Sequence, residues 1–95
     1  MIERHIPFTV HDGQGGAFER FFAERYRPAM SRSPGFVRVD LLREADDPTR
    51  YLMLMRWRDA EAATGWRTSA EHLALQPELN GLSSMGEIRV HVVVD

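Results

Sequence analysis

The chain has 95 residues, of which 43% are hydrophobic and 27% are charged, and its formal net charge is −2. This length fits a single domain with one core, and the balanced charge gives no reason to expect a nucleic acid partner, a membrane surface or disorder. Cysteine is absent, which excludes thiolate nucleophiles, disulfides and cysteine-held zinc or iron–sulfur clusters.

The first strand and the first helix are predicted from two different periodicities. Residues 2–10 alternate, with Ile2, Ile6, Phe8 and Val10 on one face and Glu3, His5, Pro7 and Thr9 on the other, as expected for a half-buried strand. From Ala17 onwards the apolar residues recur at steps of three and four, which indicates a helix with one buried stripe formed by Phe18, Phe21, Phe22, Tyr26 and Ala29. Pro28 should kink or end this helix near Tyr26 or Arg27.

The middle of the chain predicts a hairpin followed by a second helix. Phe36–Arg43 and Tyr51–Arg58 are rich in strand-forming residues, and the turn formers 45–48 separate them. Asp59 is a good N-cap for a helix over Ala60–Trp66. Thr68–Ser84 is predicted to be irregular or to form short helical turns, and Ile88–Val94 is predicted as the last strand.

The predicted order is βαββαβ, within one domain that covers residues 1–95. This order indicates an α+β, ferredoxin-like fold, in which a four-stranded antiparallel sheet carries both helices on one face. The other face also carries apolar side chains, among them Leu52, Leu54 and Val93. The simplest account is a homodimer in which two such sheets pack together as an α/β barrel. The alternative is a monomer with a solvated, mixed face.

Several short motifs resemble one family. They are Ser33-Pro34-Gly35-Phe36 before the second strand, Arg56-Trp57 followed by Asp59-Ala60-Glu61, and Gly65-Trp66 followed by Ser69-Ala70-Glu71-His72. Together with the strand order they are similar to the antibiotic biosynthesis monooxygenase family of dimeric α/β barrels. The resemblance implies a quinone-forming oxygenase that uses dioxygen without metal or flavin, a haem-degrading oxygenase, or a member of unassigned chemistry.

The family motifs match this chain only in part. The quinone-forming members have an Asn four residues before the Trp that closes the third strand, and here Trp57 matches but Met53 replaces the Asn. The haem-degrading members resemble the chain at Trp66, but they require a first-strand Asn where Ile6 stands and a His where Leu75 stands. Haem ligation is therefore not expected.

The candidate catalytic residues are His72 and Trp66. A histidine titrates near neutral pH, so His72 is a candidate base for a phenolic or enolic substrate, although it could instead cap or pack the second helix. Trp66 and Trp57 could stack on a flat aromatic substrate, or could simply fill the core. The other candidate substrate-binding residues are Met53, Tyr51 and Phe22, from an apolar lining that also includes Phe8, Phe18 and Met55, and Arg56 as a partner for an anionic oxygen. This lining is mostly expected to be ordinary core, but Tyr51, Met53 and Met55 on one strand face would form an adaptable wall if a cavity opened there. Arg38 could bind an anionic oxygen in the same way, but for both arginines a snorkelling side chain or an interface ion pair, for example with Asp40, is the more common arrangement.

No cofactor is expected. Residues 13–16 lack the Lys and Ser/Thr of a phosphate-binding loop, and His5 and His91 have no third metal ligand in the sequence. We therefore expect an enzyme, a cofactor-independent monooxygenase acting on a small aromatic or quinol-type molecule. The alternatives are a non-catalytic small-ligand-binding or stress-responsive dimeric α/β-barrel protein, and an isomerase or decarboxylase. With neither a signal peptide nor an apolar run of about 18 residues, a cytoplasmic location away from membranes is expected.

Overall fold

The computed structural model describes residues 1–95 and contains one antiparallel sheet with the helices on one face. The strands are β1 (Ile2–Val10), β2 (Phe36–Arg43), β3 (Arg50–Trp57), β4 (Ser83–Met85) and β5 (Arg89–Val92). The order is β2-β3-β1, and both β4 and β5 pair with the free edge of β1. The predicted ferredoxin-like fold is confirmed. β5 lies within the predicted last strand, Ile88–Val94, and β4 is an additional short strand before it. β4 pairs with the end of β1 at Val10, and β5 pairs with its start at Ile2.

The first helical segment passes through Pro28 instead of ending before it. It consists of α1 (Gly15–Phe21), a π-helical turn (Phe22–Tyr26) and α2 (Arg27–Ser31). At the end of the π turn the N–H of Arg27 donates to the carbonyl of Phe22, five residues back. Pro28 then lies in the first turn of α2, where its missing N–H is tolerated. Of the two predicted alternatives, a kink or an end near Tyr26 or Arg27, the end is therefore wrong, and the helix instead carries a local irregularity, the π turn that ends at Tyr26.

The second helix, α3 (Ala60–Arg67), begins where it was predicted to begin. The Asp59 carboxylate accepts the N–H of Ala62 at 2.8 Å, which confirms the N-cap. The same helix explains the glycine before β2. Gly35 has a φ of +82°, and a Cβ there would lie 2.4 Å from the Cβ of Ala62. A larger residue at position 35 would meet both a steric clash and an unfavourable backbone angle.

The prediction of irregular structure over Thr68–Ser84 is wrong, because a long helix, α4 (Ala70–Leu82), occupies most of this segment. Ser69 caps it by accepting the N–H of His72 at 3.1 Å. Pro77 lies inside α4 and removes the hydrogen bond to the carbonyl of Leu73, but both residues are exposed, so water can replace the lost donor. This helix decides where His72 lies.

The core lies between the helices and one face of the sheet. Its largest fully buried side chains are those of Trp57, Trp66, Phe18, Met30, Met53, Met55 and Leu79. None of the helices has both the length and the apolar character needed to cross a lipid bilayer.

The opposite face of the sheet, which we call the open face, carries no helix. Leu52 and Leu54 are half-buried there. His91 pairs with Glu3 of the open face, and Val93, two residues further along, shares this face. The open face also carries ion pairs. Nη2 of Arg56 lies 2.8 Å from the Glu3 carboxylate, and Nη2 of Arg38 lies 2.6 Å from the Asp40 carboxylate.

Candidate active site

A cleft of about 250 Å³ opens between β1, the end of α3 and α4. Its apolar lining comes from β1, β3 and α4 and from the segment between β4 and β5 with its flanking residue Met85. Its aromatic and polar wall is formed by Arg4, Tyr26, Trp66, Arg67, His72 and Gln76. A small, mostly apolar cavity with a few convergent polar groups is the usual form of a site for a small molecule.

His72 is held in this cleft in a form suited to accept a proton. It lies in the first turn of α4, and its Nδ1 is 2.8 Å from the backbone carbonyl of Arg67. Because a carbonyl only accepts hydrogen bonds, Nδ1 carries the proton and the lone pair is on Nε2. Burial lowers the pKa of His72 below its ordinary value of 6.5, and the charges of Arg4 and Arg67 lower it further. The hydrogen bond to the Arg67 carbonyl raises the pKa, but by less than these effects lower it. The imidazole is therefore neutral at pH 7.

Trp66 and Tyr26 form the aromatic wall beside His72. The ring centroids of Trp66 and His72 are 5.1 Å apart, and those of Tyr26 and Trp66 are 5.6 Å apart in an edge-to-face arrangement. Burial raises the pKa of Tyr26 to about 12, with a smaller opposing influence from Trp66 and Arg4, so the phenol keeps its proton at neutral pH. The indole Nε1 of Trp66 is buried and makes no hydrogen bond. The Tyr26 hydroxyl is thus a hydrogen-bond donor at neutral pH, whereas the N–H of Trp66 is a buried donor without a partner.

Arg4 is a residue of the cleft that is not among those predicted from the sequence. It lies on the helix side of β1 between Ile2 and Ile6, where the alternation calls for an apolar side chain. That break in the pattern is the sequence signal that could have identified it. Tyr26 was assigned from its spacing to the buried stripe of the first helix, and nothing local distinguishes it from a core residue.

Among the predicted site residues, the structure brings His72 and Trp66 together and places two others in the core. Trp57 is fully buried, with its ring centroid 5.7 Å from that of Phe36. Met53 is also buried, between β1 and β2. The methionine that lines the cleft is Met55, two residues further along β3 and opposite Arg4.

The remaining three predicted residues lie outside the cleft. The Tyr51 hydroxyl donates to the Glu19 carboxylate at 2.5 Å, near the other end of the sheet. Phe22 is buried with the guanidinium of Arg27 5.4 Å from its ring centroid. Arg56 lies on the open face, on the other side of the sheet from His72.

Two other features of the structure are weaker candidates for a site. A groove of about 520 Å³ on another side of Trp66 is larger, but it is lined mainly by polar and charged residues, including the exposed ion pair of Arg32 with Glu71. The rings of His5 and His91 lie 4.5 Å apart on the open face, and the structure holds no group of three side chains able to bind a metal ion. The cleft at His72 is therefore the better candidate.

Comparison with known proteins identifies the family. Residues 1–78 match the family model described as antibiotic biosynthesis monooxygenase. The chain belongs to this antibiotic biosynthesis monooxygenase family. Among solved structures it is similar to SnoaB of Streptomyces nogalater, described as a cofactor-independent oxygenase, with a TM-score of 0.88 and 31% identity, covering 99% of this chain and 93% of SnoaB.

Two curated proteins of Streptomyces are also similar to part of the chain. Deoxynogalonate monooxygenase of Streptomyces nogalater is 46% identical over 55 residues, which are 58% of this chain and 45% of that protein. The 42.8 kDa protein in the whiE locus of Streptomyces coelicolor is 34% identical over 68 residues, 72% of this chain and 17% of that protein. The chain thus spans less than half the length of these curated relatives.

Proposed function

We propose that this chain is a cofactor-independent monooxygenase that oxidises a small, electron-rich aromatic or quinol-type molecule in the cleft. The observation that carries the proposal is the pairing of His72 Nδ1 with the carbonyl of Arg67, which leaves a neutral Nε2 beside the Trp66 ring. The descriptions of SnoaB as a cofactor-independent oxygenase and of the relative as a deoxynogalonate monooxygenase support it.

The proposed reaction begins with proton transfer to His72. Nε2 removes a proton from an acidic position of the substrate, such as a phenol or the methylene group beside an aromatic ketone. The resonance-stabilised anion then gives its electrons to dioxygen. Conversion of that methylene group to a carbonyl by one molecule of dioxygen releases one molecule of water, so no external reductant is needed. The protein has to deprotonate, desolvate and orient the substrate, and the apolar cleft suits these tasks.

In this chain, a hydrogen-bond donor other than an Asn amide must stabilise the oxygen atom that gains negative charge during the reaction. Met53 replaces the Asn of the quinone-forming members, and its side chain is buried in the core. Tyr26 lines the cleft, and its pKa is raised to about 12, so it keeps its proton at neutral pH. Its hydroxyl can therefore donate a hydrogen bond to a developing oxyanion. The missing amide also favours a second candidate function, in which the cleft binds a small aromatic ligand without oxidising it.

Oxygen uptake and its pH dependence test the proposed function. With chelator-treated protein and no added flavin or nicotinamide, we expect at least one of a panel of dihydroxynaphthalenes and anthrone-like compounds to be consumed with dioxygen. His72 acts as a base only when it is neutral, and its pKa lies below 6.5, so the rate should rise with pH below that value and level off near neutrality. Tyr26, whose pKa burial raises to about 12, does not titrate in this range.

Two results would count against this proposal. Binding of panel members without oxygen uptake above the buffer rate supports the binding protein instead. A rate that rises only well above pH 6.5 contradicts the assignment of His72 as the base.

We also propose that the protein is a homodimer joined through the open face of the sheet. The proposal is supported by the half-buried Leu52, Leu54 and Val93 on this uncovered surface and by family membership. Light scattering at micromolar concentration should give twice the mass of the 10.9 kDa chain. Val93→Asp should shift the protein towards the monomer, because association would bury an unpaired charge.

Ala74→Asp is the matched control for the dimer, because Ala74 is exposed on α4, on the helix side of the molecule. It should leave the dimer unchanged. If the wild-type protein is a monomer at every concentration, the barrel arrangement is wrong. If Val93→Asp is as dimeric as the control, the interface lies on another surface.

A further inference from the structure

We infer that the cleft selects aromatic substrates that carry a carboxylate, and that Arg4 binds this carboxylate. The inference rests on the proposed function, because it concerns the substrate of the same cleft, and it names Arg4 as a residue that determines specificity.

The first observation is that Arg4 has no partner for its charge. The eight ion pairs of the structure engage Arg25, Arg32, Arg38, Arg43, Arg50, Arg56 and Arg58, and one histidine. Of the arginines outside these pairs, Arg4 alone is half-buried and the others are exposed. The contrast with Arg56 is direct, since Arg56 is on the open face of the same sheet and pairs with Glu3.

The second observation is the surplus of positive charge and hydrogen-bond donors in the cleft. No Asp or Glu lines it, whereas Arg4 and Arg67 both do. Burial lowers the pKa of Arg4, and the like charge of Arg67 in the same cleft lowers it further. Placing a charged group in an apolar surrounding without a counter-charge is unfavourable, and a ligand carboxylate would offset this.

The third observation is that the cleft has the shape and chemistry for an aromatic anion. Trp66 and Tyr26 provide ring surfaces, and the volume of about 250 Å³ is slightly below the roughly 300–1,000 Å³ common for ligand pockets, which favours one or two rings. A guanidinium binds a carboxylate through two parallel hydrogen bonds, which fixes its orientation. Because Arg4 and His72 line the same small cleft, a carboxylate on Arg4 would orient the ring against the base.

Binding without turnover separates this inference from the proposed reaction. Calorimetry under anaerobic conditions with 2-naphthol and 3-hydroxy-2-naphthoate compares two probes that differ only in a carboxylate. We expect the wild-type protein to bind the naphthoate at least about tenfold more tightly, the scale of a charge-assisted hydrogen bond. Arg4→Gln should remove this preference while it leaves the binding of 2-naphthol within about twofold.

Two further variants control for indirect effects. Arg4→Lys keeps the charge without the planar fork and should retain part of the preference, whereas Arg56→Gln on the open face should retain all of it. Arg4→Gln should also be at least as stable to heat as the wild type, because it removes an unpaired charge, whereas loss of a merely structural arginine would lower the melting temperature.

The outcomes of the binding and oxygen-uptake measurements are distinct. Equal affinity of the wild-type protein for the two probes, binding of neither probe, or a preference that survives in Arg4→Gln overturns the inference. A naphthoate preference that depends on Arg4, found in a protein that consumes no dioxygen with any substrate, supports the inference and contradicts the proposed oxygenase reaction.

Discussion

Replacement of His72 by Ala is expected to lower oxygen consumption by roughly a hundredfold or more, the usual scale for the loss of a general base. The cleft contains no second group that can replace it at neutral pH, because the other titratable residues of its lining are Arg4 and Arg67, which stay charged, and Tyr26, which stays protonated. The fold should survive, since the backbone N–H of residue 72 still reaches Ser69.

His72→Gln and His11→Ala are the variants that make this result specific. A Gln amide at position 72 can still donate to the carbonyl of Arg67 but cannot take up a proton, so His72→Gln should be as inactive as His72→Ala. His11 is exposed outside the cleft, and its loss should leave the rate within about twofold. If His72→Gln keeps most of the wild-type rate, His72 has only a structural role and another group accepts the proton.

Replacement of Trp57 by Ala is expected to lower the free energy of unfolding by about 3–5 kcal/mol, the usual range for a large aromatic residue truncated in a core. Trp57 is fully buried at the end of β3, where it packs against Phe36 and its strand pairs with both neighbours. Since small domains have a total stability of roughly 5–15 kcal/mol, this variant should be close to unfolding. Urea denaturation monitored by circular dichroism measures the change.

Two conservative variants distinguish the tryptophans of the core and of the cleft. Trp57→Phe should be milder than Trp57→Ala, because a phenyl ring fills more of the core than a methyl group does. Loss of the indole N–H adds little to either change, since it has no hydrogen-bond partner. Trp66→Phe should mainly weaken substrate binding, since a smaller ring remains beside His72. If Trp57→Phe raises the KM and Trp66→Phe does not, the two residues have been assigned to the wrong roles.

Elements with strong local signals could be predicted from the sequence. β1 was predicted with its observed bounds because residues 2–10 alternate, and the start of α3 followed from the capping chemistry of Asp59. The long helix α4 was missed for a local reason as well. Pro77 and Gly81 interrupt its pattern, and the polar His72 occupies a position in its buried stripe. Tertiary packing overrides these unfavourable propensities.

The site was only partly predictable, because it depends on contacts between distant elements. His72 and Trp66 were identified from a motif within seven residues of chain. Whether Met53 or Met55 reaches the cleft depends on where the helices lie against the sheet, and no periodicity shows that. Arg56 was expected near the substrate as a strand arginine, but the alternation of β3 places it on the open face, whereas Arg4 shares the helix side with His72.

Labelling with ¹⁸O₂ tests the central claim, oxygen transfer without a cofactor, most directly. The chelator-treated protein would be supplied with a substrate of the panel and ¹⁸O₂ in unlabelled water, and the product analysed promptly by mass spectrometry alongside His72→Gln. We predict one labelled oxygen atom in each product molecule, equal consumption of dioxygen and substrate, and no effect of added metal or flavin. An unlabelled product, or a reaction that proceeds only when metal or flavin is added, would contradict the account.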